Sequence, residues 1–203
     1  MTIQPMDMPL DQLRAYKPEL TKQPDFDAFW DQALDELAEV PLQHERAPFK
    51  YPVKGVNVYR LFYQGFNNAR IEAWLALPES SEPLPGIVNF HGYGYAHDSR
   101  IHETVNLALK GYAVLTMLCR GQQGESIDNV TVSTGHVEGW MTKGIQSPNE
   151  YYYRALYMDA VRALEIIRDL PEVDGSRIAV MGESQGAALA LAAAALSDFP
   201  KLA

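Results

Sequence analysis

The sequence has 203 residues, which is enough for one domain with a substantial core or for two small domains at most. Hydrophobic residues make up 47% and charged residues 21%, a composition typical of folded proteins rather than disordered ones. The net charge of −9 and the lack of lysine or arginine runs argue against nucleic acid or an anionic membrane as a partner.

The beginning of the chain carries Asp7 and Asp11 and has neither a basic start nor an apolar core, so it does not predict a secretory signal. No apolar stretch approaches the roughly 20 residues that span a bilayer. Cys119 is the single cysteine, which excludes an intrachain disulfide and is compatible with a reducing compartment. We therefore expect a cytoplasmic protein with no membrane partner.

The first predicted elements are a helix and a hairpin. Apolar residues in 26–40 recur at helical spacing behind Asp25, a predicted N-cap, and we interpret about 10–40 as an N-terminal helical extension. The runs 56–63 and 70–77 have strand-like patterns, and a turn-rich stretch separates them. They are therefore predicted to form a β-hairpin.

From Gly86 onward the pattern changes to short apolar runs that alternate with helical segments. These runs are 86–90, 112–118 and 177–181. Strands buried on both faces have this pattern, and the alternation predicts βαβ units with a parallel sheet. We expect an α/β fold with a mostly parallel central sheet and helices on both faces. The whole chain, 1–203, is interpreted as a single domain, with the sheet region in 56–203.

Two helices are expected between these strands. One lies near 99–110, and the other follows a start signal in which Ser147 is the predicted cap and Glu150 completes a capping box. The second helix is predicted to run to Leu170. The stretch 119–146 is long for a connection and is predicted to line a site.

The segment 177–196 combines a strand, the motif G-x-S-x-G and a helix in that order. This order places Ser184 on a sharp turn with an exposed hydroxyl, while Gly182 and Gly186 keep side chains away from the neighbouring strand and helix. The following helix directs its N-terminal N–H groups toward a developing oxyanion. Ser184 is therefore the candidate nucleophile, and the N–H of Gln185 is a candidate oxyanion donor.

A second glycine-containing loop, 91–95, directly follows the strand at 86–90. In folds with this kind of serine turn, the other oxyanion donor comes from such a loop, and the N–H of Tyr93 is the natural candidate. The alternative interpretation is an ordinary strand-ending turn. The segment does not match a phosphate-binding loop.

Other chemically capable residues have simpler interpretations. Three histidines occur close together in sequence, at His91, His97 and His102. Their spacing matches no established ligand pattern, so no metal site is expected. Cys119 ends a buried strand and is expected to be a core thiol. The aromatic residues Trp140 and 151–153 could line a site for a sugar or acyl group, although helical spacing of aromatics is more typical of a core.

Taken together, the motifs resemble those of the acetyl xylan esterase and cephalosporin-C deacetylase family, carbohydrate esterase family seven of the α/β-hydrolase superfamily. The matching segments occur in order over nearly the whole chain. They are 8–18, 25–30, HGYGY at 91–95, RGQ at 120–122, 135–144, 151–154 and GESQG at 182–186. Ala187 is a small departure, since members commonly have a second glycine there.

The resemblance implies a nucleophile at Ser184, oxyanion donors at the backbones of Tyr93 and Gln185, and a structural role for Arg120 and Gln122. It also implies removal of acetyl groups from short xylo-oligosaccharides and from cephalosporin C. The implied assembly is a homo-hexamer that admits only small substrates. No cofactor is expected, because the mechanism uses side chains and backbone dipoles alone.

The end of the sequence departs from this family. In the α/β-hydrolase fold the acid and the histidine of the triad follow the serine, but only Asp198 and no histidine follow Ser184. Asp198 lies about 21 Å along the helix at 1.5 Å per residue, which is too far to orient a base.

We therefore expect a chain without the C-terminal part of its domain, with an unpaired apolar sheet edge and no activity alone. The alternative is a non-catalytic fragment or assembly partner, and within the hydrolases a peptidase or a dienelactone-type enzyme.

Overall fold

The computed structural model describes residues 7–94, 100–136 and 138–203, and it contains one seven-stranded sheet with five α-helices. The strands are β1 His44–Pro48, β2 Val56–Gln64, β3 Arg70–Pro78, β4 Leu84–Phe90, β5 Ala113–Met117, β6 Val173–Gly182 and β7 Pro200–Leu202. The helices are α1 Leu10–Ala15, α2 Phe26–Ala38, α3 Ile101–Ala108, α4 Tyr152–Asp169 and α5 Gln185–Ala195. The strand order is β1-β2-β3-β5-β4-β6-β7.

One half of the sheet is antiparallel. Strands β2 and β3 pair as the predicted hairpin, joined by a single 3-10 turn at Phe66–Asn68. Asn67 and Asn68 both have a φ of 56°, and asparagine tolerates this left-handed region better than most residues. Strand β3 continues antiparallel to β5, and β1, which was not predicted, adds to the outer edge of β2.

The other half of the sheet is parallel and confirms the expected βαβ units. Strand β4 lies between β5 and β6, so the chain leaves β4 toward one side and later returns to the other. Such a reversal opens a crevice at the carboxyl end of the central strand, where α/β proteins commonly bind ligands. The loops after β4, β5 and β6 all begin at this edge.

Helices cover both faces of the sheet. On one face α4 and α5 bury residues such as Leu156, Leu164 and Leu189 against the strands. On the opposite face α3 buries Ile101 and Val105. Helix α2 forms an outer layer against α4, through a third apolar cluster. The apolar stripes found in the sequence therefore correspond to three packed interfaces.

Two predicted helix caps are absent. Asp25 stands at the N-cap position of α2, but its side chain makes no capping hydrogen bond. Helix α4 begins at Tyr152 rather than near Ser147, because the Tyr152 N–H donates to the carbonyl of Lys143 at 3.0 Å. The Glu150 carboxylate instead accepts hydrogen bonds from the N–H and hydroxyl of Ser133. A tertiary contact therefore replaces the capping box.

The outermost strands differ in length. Strand β7 pairs with β6 only around Ile178 and Ala179, so the apolar edge expected beside β6 is partly covered. Leu202 of β7 is 73% exposed. In the three described ranges, no helix combines the length and the apolar character needed to cross a membrane.

Candidate active site

Ser184 lies on a strained turn between β6 and α5. Its φ of 55° and ψ of −117° are unusual for a residue with a side chain, a strain that costs about 1–3 kcal/mol and clusters at functional sites. A Cβ on Gly182 would overlap the carbonyl of Gly186, and a Cβ on Gly186 would overlap the carbonyl of Phe90. Glycine at both positions therefore lets β4, β6 and α5 approach closely enough to form the turn.

The loop after β4 meets this turn, as predicted. A Cβ on Gly92 would lie 3.7 Å from the Cβ of Ser184, so the two loops are in van der Waals proximity. Among the described residues, the backbone N–H groups of Tyr93 and Gln185 have no acceptor. The Ser184 side chain is exposed. Ser184 and these two N–H groups therefore lie where the loop after β4 meets the turn after β6.

Gln122 connects the two candidate donor segments. Its Oε1 accepts from the N–H of Gly94 at 3.1 Å and from Nε2 of Gln185 at 3.1 Å. Its Nε2 donates to Oε1 of Gln185 at 3.0 Å and to the hydroxyl of Tyr152 at 2.9 Å. The paired amides hold the residue after Tyr93 and the residue after Ser184 at a fixed separation.

Unlike Gln122, Arg120 contacts helix α4 and the β2–β3 turn rather than the candidate donor segments. Its guanidinium is fully buried and contacts both carboxylate oxygens of Asp159, at 2.6 and 2.7 Å, and the carbonyl of Phe66 at 3.0 Å. Burial disfavours the charged guanidinium, but the Asp159 carboxylate outweighs this and raises the pKa of Arg120. Arg120 therefore joins the loop after β5 to α4 and to the β2–β3 turn.

Asp159 was missed by the sequence analysis. It is fully buried on α4, and its Oδ1 also accepts the N–H of Phe66 at 2.8 Å. A lone carboxylate within the apolar stripe of a predicted helix is the signal that could have identified it, since buried charges are paired. A Cβ on Gly65 would overlap this carboxylate, so the turn can approach Asp159 only with glycine there.

A cavity of about 280 Å³ opens beside Ser184. It is lined mainly by aromatic and apolar side chains, namely Tyr93, Met141, Tyr151, Tyr153, Tyr157, Gln185 and Ala188. For Trp140 and residues 151–153, the sequence left open whether they line a site or form part of the core, and the structure shows both. Tyr152 and Trp140 are buried in the core, whereas Tyr151 and Tyr153 also face the cavity. Burial raises the pKa of Tyr151 and Tyr153, so their phenols remain neutral hydrogen-bond donors.

Among the described residues, no histidine hydrogen bonds to Ser184. His91 is buried, its Nδ1 lies 2.6 Å from the carbonyl of Gly92, and its Nε2 accepts the N–H of Cys119 at 2.9 Å. Burial lowers the pKa of His91, which favours this neutral ring. Of the described residues, none hydrogen bonds to the Ser184 hydroxyl. His97 lies outside the described residues, and His102 contacts Tyr51 instead.

Two further expectations concern residues away from Ser184. Cys119 is fully buried, and desolvation raises the pKa of its thiol, as expected for a core cysteine. Asp198 lines a separate cavity with Phe26 and Trp30 beyond the far end of α5. The described residues contain no cluster of histidine, cysteine and carboxylate side chains that could hold a metal ion.

The fold is of the α/β-hydrolase type, as comparison with solved structures shows. The acetyl xylan esterase of Paenibacillus sp. R4 superposes with a TM-score of 0.89 at 41% identity over 96% of this chain. Acetyl xylan esterase 1 of Thermoanaerobacterium sp. JW/SL YS485 superposes with a TM-score of 0.88 at 33% identity over 97% of this chain. This chain spans 62% of each of those structures.

The sequence comparisons identify the family. The family model for acetyl xylan esterase matches residues 3–203, and acetyl esterase Axe7A of Xylanibacter ruminicola is 30% identical over 191 residues. That match covers 89% of this chain and 44% of Axe7A. The chain belongs to the acetyl xylan esterase family, a family of carboxylic ester hydrolases, and the resemblance seen in the motifs is confirmed.

Proposed function

We propose that the protein is a serine esterase that removes acetyl groups from small acetylated carbohydrates, with Ser184 as the nucleophile. The observation that carries the proposal is the strained, exposed Ser184 beside two N–H groups that have no acceptor in the described part of the chain. A family of acetyl xylan esterases supports acetylated xylo-oligosaccharides as the substrate class. Cephalosporin C, an acetate ester of similar size, is the second proposed substrate.

The proposed reaction has two steps. The Ser184 oxygen attacks the acetyl carbonyl carbon and loses its proton to a base, while the N–H groups of Tyr93 and Gln185 bind the oxyanion. The ester bond to the sugar breaks, the sugar oxygen takes the proton, and acetyl-Ser184 forms. Water then attacks this acyl-enzyme and releases acetate.

The proposal also includes the base that accepts the Ser184 proton. His91 is engaged at both ring nitrogens, and Asp198 lies beyond the opposite end of α5. We place the histidine and the orienting carboxylate beyond residue 203, as the resemblance implies. Because this chain spans 62% of its solved relatives, activity is to be measured on the complete protein.

The test is acetate release from acetylated xylo-oligosaccharides, with p-nitrophenyl acetate and cephalosporin C assayed in parallel. Ser184→Ala is expected to lower kcat by at least about 10³-fold, because removing a catalytic serine leaves only the oxyanion hole and binding. Ser197→Ala, at the other end of α5, is the matched control and is expected to retain activity. Equal rates for Ser184→Ala and the unmodified protein would contradict the proposal.

A fluorophosphonate probe distinguishes the proposed serine esterase from the alternative, a non-catalytic assembly partner. We expect covalent labelling of the Ser184 peptide in the complete protein and none in Ser184→Ala. A complete protein that neither labels nor releases acetate is the result expected of the non-catalytic alternative.

We also propose the homo-hexamer that the resemblance implies and the cytoplasmic location expected from the sequence. Light scattering of the complete protein in solution measures the subunit number, and a monomer would contradict this proposal. Fractionation of cells that express the natural gene tests the compartment.

A further inference from the structure

The side chain of Tyr93 is held by the loop that follows β5. The backbone N–H of Trp140 donates to the Tyr93 hydroxyl at 2.9 Å. The two rings pack edge to face, with centroids 5.6 Å apart. Tyr93 is nevertheless 44% exposed, so burial alone does not fix its position. The contact with Trp140 is therefore a specific restraint on an otherwise accessible side chain.

Gly139 makes this restraint possible. A Cβ at this position would lie 2.7 Å from the Tyr93 hydroxyl oxygen, closer than real Cβ contacts. Gly139 also has a φ of 78°, which favours glycine. Gly135, in the same loop, has the same φ of 78° but nothing within 4 Å of its added Cβ. Glycine is therefore required at Gly139 for two separate reasons. Its positive φ favours glycine, and a side chain there would collide with the Tyr93 hydroxyl.

The loop has anchors of its own. Trp140 is 7% exposed, and its ring also packs against Tyr152, with centroids 6.4 Å apart. The hydroxyl of Tyr151 donates to the carbonyl of Met141 at 3.1 Å. Because these contacts hold the segment 139–141 without Tyr93, the segment can act as a fixed support against which Tyr93 is placed.

The backbone of Tyr93 is the part that this support affects. Its N–H has no acceptor among the described residues, and the next N–H, that of Gly94, is fixed by Gln122. We propose that Gly139 and Trp140 are positioning residues that orient the Tyr93 N–H toward the oxyanion by holding the Tyr93 hydroxyl. This inference rests on the proposed function of Ser184.

Two single variants of the complete protein test the positioning role. Tyr93→Phe removes the acceptor of the Trp140 N–H, and Gly139→Ala pushes against the hydroxyl. For each we expect kcat for p-nitrophenyl acetate to fall at least tenfold with KM changed less than threefold, because misplaced oxyanion donors weaken transition-state binding. Gly135→Ala is the control: it meets the same backbone strain without the collision, and we expect its kcat within twofold of the unmodified enzyme.

Combining Tyr93→Phe with Gly139→Ala tests whether the two residues act through the same contact. In Tyr93→Phe the hydroxyl oxygen is gone, so the added methyl of Gly139→Ala no longer collides with it. We expect the double variant to be no more than twofold less active than Tyr93→Phe alone. Losses that multiply in the double variant would show that Gly139 acts independently of the hydroxyl and would overturn the proposal.

A transition-state analogue distinguishes positioning from a general structural role. An alkyl trifluoromethyl ketone forms a tetrahedral adduct with the serine, and its inhibition constant should rise in Tyr93→Phe and Gly139→Ala by the same factor as kcat/KM falls. Unchanged inhibition constants with only a lower Tm would overturn the proposal. Failure of the proposed function has a different signature, since unmodified enzyme and Ser184→Ala would then be equally inactive.

Discussion

Gln122 is a single side chain that links both proposed oxyanion donors. It holds the N–H of Gly94 on one side and the amide of Gln185 on the other. A buried polar network of this kind rigidifies a site only when every member is satisfied. The RGQ motif identified from the sequence thus has a physical basis, which is the fixed distance between the loop after β4 and the turn at Ser184.

Gln122→Leu is expected to lower kcat/KM about 10–100-fold, because Gly94 and Gln185 lose their shared partner and the donors shift. Acetate-ester hydrolysis by the complete protein measures the effect. Gln123→Leu is a comparison variant, since Gln123 is also buried but contacts His91, at the start of the loop after β4, rather than Gly94 or Gln185. Equal losses in the two variants would contradict the linking role of Gln122.

His91 gives the stability a predictable pH dependence. Burial lowers its pKa in the folded protein below the ordinary value of 6.5, so below that pH the unfolded chain binds a proton that the folded one does not. The contribution of His91 is therefore complete above about pH 6.5 and is lost as pH falls toward the folded pKa.

Replacing His91 by Gln should flatten the fall in the free energy of unfolding between pH 7.5 and 5, by at most about 1.4 kcal/mol per pH unit. Urea denaturation at a series of pH values provides the measurement. His136→Gln serves as the comparison, because His136 is exposed. An unchanged slope in His91→Gln would show that the ring is not buried in its neutral form.

At the scale of elements, the packing of α2 on α4 depends on an arginine. The guanidinium of Arg162 donates to the carbonyls of Leu37, at 2.5 Å, and Val40, at 2.9 Å, at the C-terminal end of α2. Helix C-termini leave carbonyls without partners, and cations there are favourable. The N-terminal part of the chain is therefore attached to the sheet region by a buried cap as well as by apolar contacts.

Arg162→Leu should lower the free energy of unfolding by about 2–3 kcal/mol, because two buried carbonyls lose charged donors. Arg14→Leu, on the exposed helix α1, is expected to change it by less than about 0.5 kcal/mol. Urea denaturation followed by circular dichroism compares the two. A loss below about 1 kcal/mol in Arg162→Leu would show that the cap is not a major contact.

At the scale of the whole molecule, the Arg120–Asp159 pair joins three distant parts of the chain. It connects the loop after β5, helix α4 and the turn at Phe66, and both side chains are fully buried. Removing Asp159 would leave the buried guanidinium with only the Asp128 carboxylate, whose Oδ1 lies 3.8 Å from Nη1 and which also pairs with Lys143. The pair therefore fixes the helix layer relative to the sheet and its loops.

We expect Asp159→Asn to lower the free energy of unfolding by about 3–5 kcal/mol. The double replacement Arg120→Met with Asp159→Leu should lose less than Asp159→Asn, since neither charge remains buried. Asp31→Asn on the exposed side of α2 is the control, with a change within about 0.5 kcal/mol. Urea denaturation measures all three, and a loss below about 1 kcal/mol for Asp159→Asn would contradict the role of the pair.

The sequence by itself determined strands β2 to β6, most helices and the turn at Ser184, whereas β1 and β7 were not predicted. Apolar periodicity and the glycines around Ser184 are local signals, because a strand, a helix or a sharp turn depends on residues within a few positions of one another. The predicted runs 56–63, 70–77 and 86–90 therefore agree with β2, β3 and β4 to within two residues. The family resemblance followed from the same local motifs.

Only the tertiary structure decided which residues meet across the chain. The Ser147 cap was wrong because Lys143 provides the acceptor for the Tyr152 N–H. Likewise, the partner of Arg120 and the contact between Gly139 and Tyr93 join residues far apart in sequence. Such pairings depend on the register and packing of whole elements, and a single sequence contains no local pattern that specifies them.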